Sequence, residues 1–242
     1  MSQSSVDTPS DLTRRFTSPI IHIRVGPQRL TYYVHRDMIA LKSSFFREIF
    51  QDQDGQDGEG LVFDLDNDEP DLIDLFVRFM YWPGIVLVPE SDGVDFEVRL
   101  SMLSQLYILG ERFRVPRLQS KAVIEAFRLL DTEPDGDNVS ERQFLDDLEI
   151  RIETISAIYT KTASDKDSFR RLLVTDMAHH WDLYSCRGMM ARDDGEDSEL
   201  CRFIETTPSF AGDLFWYLEK LKTAKFGLPV GIRISDIERC RS

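Results

Sequence analysis

The strongest constraint on this chain is a change of period inside its first fifty residues. Through "PIIHIRVGPQRLTYYVH" (19–35), apolar and polar residues alternate: Ile21, Ile23 and Val25 fall on one side, His22 and Arg24 on the other. "GPQ" interrupts, and "LTYYV", rich in aromatic and β-branched residues, follows. Alternation on either side of turn formers describes a hairpin. The spacing then lengthens. Met38, Leu41, Phe45, Phe46, Ile49 and Phe50 recur every three or four residues, the period of a helix with one buried face.

Further along, "QDQDGQDGEG" (51–60) has no apolar residue and reads as a solvated loop, and "LVFDL" (61–65) as a short strand. Leu72, Ile73, Phe76, Phe79 and Met80 share one helical face, with Glu69 and Asp71 in the first turn, where the macrodipole favours negative charge. "WPG" (82–84) stops that helix, and "IVLV" (85–88) predicts another strand. Two helices follow, "DFEVRLSMLSQLYILGERFRV" and "PRLQSKAVIEAFRLL", with Pro116 placed in a first turn. So few residues separate them that they form an antiparallel or steeply bent pair. After 139 the pattern is helical: Phe144, Leu148, Ile152, Ile155 and Tyr159; Phe169 to Tyr184; then Phe210, Leu214, Phe215, Leu218 and Leu221. "RDDGEDSE" (192–199) reads as an acidic break, and "FGLPVGIRISD" as a short extended tail.

Several strings imitate catalytic or metal-binding motifs. "YVHRDMIAL" (33–41) contains the His-Arg-Asp of a kinase catalytic loop. No Gly-x-Gly-x-x-Gly or Asp-Phe-Gly accompanies it, and Lys42 stands where a magnesium-binding Asn is required. The string is better read as a strand end at His35 and a helix start at Asp37. "DTEPDGDNVSER" (131–142) begins like a calcium loop, but its closing position is Arg142 instead of a bidentate Glu. His179 and His180 are adjacent, so on a helix they point about 100° apart and do not chelate together. The expectation there is a solvated His179 and a His180 at the edge of the core. No nucleophile elbow, phosphate loop or zinc-protease histidine pair is present. The chain reads as a non-enzyme without cofactor or metal.

Charge narrows the partners. With 29 basic and 43 acidic residues the net charge is −14, which opposes phosphate backbones and anionic membranes. Three scattered cysteines, Cys186, Cys201 and Cys240, and a polar start without an apolar signal core point to reduced thiols in the cytoplasm or nucleus. No apolar run reaches the roughly 18 residues of a membrane helix.

The order hairpin, helix pair, strand, helix, strand, helix pair resembles the BTB/POZ family. The resemblance rests on "IIHIRVGPQRLTYYVHRDMIALKSSFFREIF", "LVFDLDNDEPDLIDLFVRFMYWPGI" and "LSQLYILGERFRVPRLQSKAV" in register. Gly110 stands where the family usually has Ala, and Trp82-Pro83 is added between Tyr81 and Gly84. "FRRLLVTDMAHHW" (169–181) is similar to a phrase in the helical tails of stand-alone fungal BTB proteins. The resemblance implies an α+β fold, a small β-sheet capped by helical hairpins, and this division: a lead-in at 1–17, a BTB/POZ domain at 18–131, an acidic linker at 132–140 and a helical region at 141–242. It further implies partners that are other proteins: self-association, and in part of the family recruitment to a cullin-type ubiquitin ligase scaffold as adaptor. A partner in transcriptional regulation without its own DNA-binding domain is the alternative. The expected partner surface is Tyr81, Trp82 and Pro83 with the acidic Asp52, Asp54 and Asp57; core anchoring is the competing role for Tyr81 and Trp82. Leu12 and Phe16 are the expected dimer contacts, being the apolar residues of a polar lead-in.

Overall fold

A computed structural model describes residues 16–52, 61–88, 95–131, 141–162, 167–181 and 199–224. Within them the fold is α+β, with three strands and nine helices. The strands are β1 (Ile20–Val25), β2 (Leu30–His35) and β3 (Val62–Leu65). The helices are α1 (Arg36–Lys42), α2 (Ser44–Asp52), α3 (Pro70–Tyr81), α4 (Phe96–Arg112), α5 (Pro116–Asp131), α6 (Glu141–Lys161), α7 (Ser168–His179), α8 (Glu199–Thr206) and α9 (Pro208–Ala224). They form two compact units. The first comprises Met1–Pro89 with Leu109–Gln119, the second Glu90–Ile108 with Ser120–Ser242. Helices α4 and α5 each therefore contribute to both.

In the first unit the strand order is β2-β1-β3, antiparallel between β1 and β2 and parallel between β1 and β3. The alternation resolves as the period of two requires: Ile21, Ile23, Val25 and Val34 are buried, whereas Ile20, Tyr33 and Val62 are exposed. Gly26 opens the hairpin turn at φ +66°, a conformation that glycine adopts without steric cost. The helical stretch after His35 is two helices. Ser43 between them is extended (φ −118°, ψ 116°). Its hydroxyl accepts the Phe46 N–H at 3.1 Å and donates to the Phe113 carbonyl at 2.6 Å. Around it Phe46 and Phe113 anchor an aromatic core, with ring centroids 5.1 Å apart and Phe63 5.4 Å from Phe46.

The run 85–88 is not a strand. Ile85 N–H closes a turn on the Trp82 carbonyl at 3.0 Å, and the neighbours Leu87 and Val88 are both buried. Consecutive burial is an apolar run without a pleat, and no strand of the described sheet pairs with it.

In the second unit, α7 is capped at its start by Asp167, whose carboxylate accepts the N–H groups of Phe169 and Arg170. Arg170 turns back to the end of α6, donating to the Thr162 hydroxyl at 2.8 Å and the Tyr159 carbonyl at 2.9 Å. Phe210 and Leu214 of α9 are buried, but Phe215, placed by spacing on the same face, is 61% exposed, and Trp216 beside it is exposed too. Helix α8 lies within a stretch for which the spacing predicted no element. The expectations for 131–142 and 192–199 fall almost wholly, and those for the tail wholly, outside the described residues.

Candidate functional site

The end of α3 is held from three directions. Lys42 Nζ donates to the Phe79 carbonyl at 3.5 Å and to the Met80 carbonyl, placing a cation where the helix leaves unsatisfied acceptors. The His35 N–H donates to Tyr81 Oη at 3.0 Å, and His35 Nδ1 lies 2.8 Å from the same oxygen. The phenol thus bonds both the backbone and the ring of His35 and joins the end of α3 to the end of β2. Phe16 then stacks on Tyr81, with centroids 6.3 Å apart, and meets His35 edge-on at 5.8 Å.

This base carries an exposed edge. Tyr81 is half-buried, its neighbour Trp82 is 70% exposed with its ring 6.4 Å away, and Pro83 is exposed. Past the turn, Val86 is exposed as well. Tyr81 is therefore a half-buried backing to the edge, while Trp82 faces solvent. Phe16, expected at a dimer contact, and Tyr81 and Trp82, expected at a partner surface, belong to one cluster. Asp54, Asp57 and Leu12 lie outside the described residues. Asp52 ends α2, and its side chain is also outside them.

Of the cluster's ionisable side chains, Lys42 bonds the carbonyls of Phe79 and Met80, and His35 and Tyr81 bond each other. Its chemistry is that of an apolar aromatic surface on a fixed backing. His35 was read as a strand end alone, since nothing in sequence pairs it with a tyrosine 46 positions away.

A second cluster escaped the sequence reading altogether. Arg151 of α6, 1% exposed, donates from Nε to Glu97 Oε1 at 2.8 Å and from Nη1 to Asp176 Oδ2 at 2.7 Å. Phe96 lies 5.6 Å below the guanidinium. The three charged groups tie α4, α6 and α7 together within the second unit. Beside them His179 and His180 are both exposed, so His180 is not a core-edge residue. The reason is that α7 ends at His179: His180 is its C-cap (φ −96°, ψ 17°), and its Nδ1 lies 3.1 Å from the Asp176 carbonyl. Partial burial, and then the neighbouring His180, push the His179 pKa below its usual value.

Among the described residues no group of three His, Cys, Asp or Glu side chains is placed to hold a metal ion, and no helix is long and apolar enough to cross a membrane. Of the family models and curated proteins compared with the chain, none matches.

Proposed function

We propose that the chain is a non-enzymatic protein-interaction module of BTB/POZ type, acting through self-association and as an adaptor for a cullin-type ubiquitin ligase scaffold. The observation that carries this reading is the end of α3. A tryptophan 70% exposed sits on a backing fixed by Lys42, His35 and Phe16. Tryptophan is enriched among the residues that dominate interface energies, and a preorganised anchor loses little entropy on docking. The element order β1-β2-α1-α2-β3-α3 followed by α4-α5 supports the family assignment.

Light scattering at micromolar concentration tests the self-association. The wild type is expected to exceed the mass of one chain, and Trp82→Ala to return it toward that mass with an unchanged thermal midpoint. A wild-type mass of one chain ends this arm. A pull-down tests the adaptor arm, which fails if no cullin enters the eluate. ATP turnover by the pure chain would refute the non-enzymatic assignment.

A further inference from the structure

We infer that the outer edge of β3 is a docking site for an extended segment of a basic partner protein, which adds a fourth strand to the sheet, antiparallel to β3. The site is built from β3 and the turn after it, and does not depend on reading Trp82 as a docking residue.

The edge follows from the ladder. The Leu61 carbonyl accepts the His22 N–H at 2.8 Å, and the Leu65 carbonyl accepts the Gly26 N–H at 3.0 Å. In this parallel register, with His22 opposite Val62, Leu61, Phe63 and Leu65 turn their backbone groups toward β1. Successive residues of a strand turn theirs to opposite sides, so the N–H and C=O groups of Val62 and Asp64 face outward. The order β2-β1-β3 gives that side no strand among the described residues. Such a row of open donors and acceptors is a template for another chain. The inner face beside it is unfinished too. Phe63, 5.4 Å from Phe46 and 6.0 Å from Phe50 by ring centroids, is only half-buried, as is Leu65. A fourth strand covers both with its inward apolar residues, while main-chain bonds to Val62 and Asp64 supply affinity.

Charge decides the occupant. The strand and the turn after it read "VFDLDNDEPD" (62–71), a run with five carboxylates. Asp64 is met by Arg24 Nε at 3.2 Å and Arg29 Nη2 at 3.1 Å, and Asp68 by Arg112 Nη2 at 2.8 Å. Asp66, Glu69 and Asp71 are exposed and make no ion pair among the described residues. A second copy laid on this edge brings two such acidic segments to one seam, where like charges oppose pairing. A partner strand with lysines or arginines before its apolar residues meets them with opposite charge. Running antiparallel, the more stable pairing, it carries its basic N-terminal side past Asp66.

The test uses the full chain and a dye-labelled synthetic peptide, three lysines followed by Val-Thr-Val-Thr-Val, read by fluorescence anisotropy. Saturable binding is expected, with a scrambled peptide of the same composition about tenfold weaker or more. N-methylation of one set of alternate amides in the valine half is expected to abolish binding, and of the other set to spare it. Val62→Pro removes an outward N–H that the ladder to β1 does not use, a substitution that edge strands accept. It is expected to weaken binding about tenfold or more, and Asp66→Asn/Glu69→Gln about threefold or more at low salt. Hydrogen exchange at the Val62 and Asp64 amides is expected to slow when the peptide binds. Trp82→Ala should bind the peptide as the wild type does, which separates this site from the end of α3. No saturable binding, equal binding of the scrambled peptide, unchanged exchange at those two amides, or loss of binding on Trp82→Ala overturns the proposal. So does a fall in the mass of the peptide-free chain on Val62→Pro, which assigns the edge to a second copy. The peptide controls and the exchange decide the matter even if Val62→Pro does not fold.

Discussion

Gly26 and Ser43 each carry a requirement that a single atom would break. At Gly26, φ is +66°, and a Cβ would stand 3.4 Å from the Asp68 carbonyl oxygen. Space is adequate, so the cost of Gly26→Ala lies in the backbone. We expect a loss of about 1 kcal/mol from the left-handed conformation, read as a lower urea midpoint with an unchanged slope. Ser43 is fully buried, and its hydroxyl serves both an amide and a carbonyl. Ser43→Ala removes a cap and leaves the Phe113 carbonyl short of a donor. The expected loss is about 1–3 kcal/mol, again at the denaturation midpoint, whereas Ser43→Thr, which keeps a hydroxyl, should lose less. In the sequence both residues are visible only as parts of a turn and of a helical stretch. The amide and carbonyl that make Ser43 matter are contributed by chain segments 3 and 70 residues away.

At the scale of elements, apolar burial wrote itself into the sequence where it repeats along one face, and not in α8, whose buried Leu200 and Phe203 are too few to set a period. The face of α3 was legible because Ile73, Phe76, Phe79 and Met80 are all buried. So was the hairpin, whose inward residues alternate. In α6 the spacing finds Leu148, Ile155 and Tyr159, which are buried, and misses one side of the face. It chose Ile152, which is only half-buried, and passed over Arg151 and Thr154, which are buried. An arginine between isoleucines looks like a solvated residue until Glu97 and Asp176 are known to meet it, and those partners are 54 and 25 residues distant. The same limit hid His35 behind Tyr81. An energetic consequence follows for α6. Arg151→Met strands two buried carboxylates and is expected to cost about 3–5 kcal/mol. Arg151→Met/Glu97→Leu/Asp176→Leu removes the whole triad and should recover most of that loss in the same urea titration. If the triple variant is no more stable than the single one, the charges are not what α4, α6 and α7 owe to Arg151.

The end of α7 supplies a pH dependence at the same scale. The His179 pKa is lowered in the folded chain, so between the folded and unfolded values the unfolded chain binds more protons. Stability contributed by neutral His179 is therefore present above the unfolded value, about 6.5, and is lost as pH falls toward the folded one. His179→Gln should flatten the thermal midpoint against pH below that point. An equal slope in both proteins would show that His179 does not contribute.

Across the whole molecule, the chain enters the first unit, leaves it at Pro89, returns for Leu109–Gln119 and leaves again. The helical pair α4–α5 is thus shared, although its sequence reads as the close of the first domain. The early part of α4 faces residues much later in the chain. Tyr107 donates to Asp167 at 2.6 Å and packs its ring 5.1 Å from Phe169, and Glu97 meets Arg151. Leu100, Leu103 and Leu106 are buried along the same stretch. A fragment ending at 131 keeps these residues and discards everything after them, including Asp167, Phe169 and Arg151. It exposes an apolar helix surface with a buried-type carboxylate in its midst, a surface prone to association. We therefore expect fragment 18–131 to bind a hydrophobic dye more strongly than the full chain and to melt lower. Tyr107→Phe in the full chain should reproduce a small part of the loss, about 1 kcal/mol, because Asp167 keeps its N-cap bonds and forfeits only the phenol. A fragment as stable and as dye-silent as the full chain would mean that α4 buries those leucines without the later helices, and that the domain closes where its sequence pattern does.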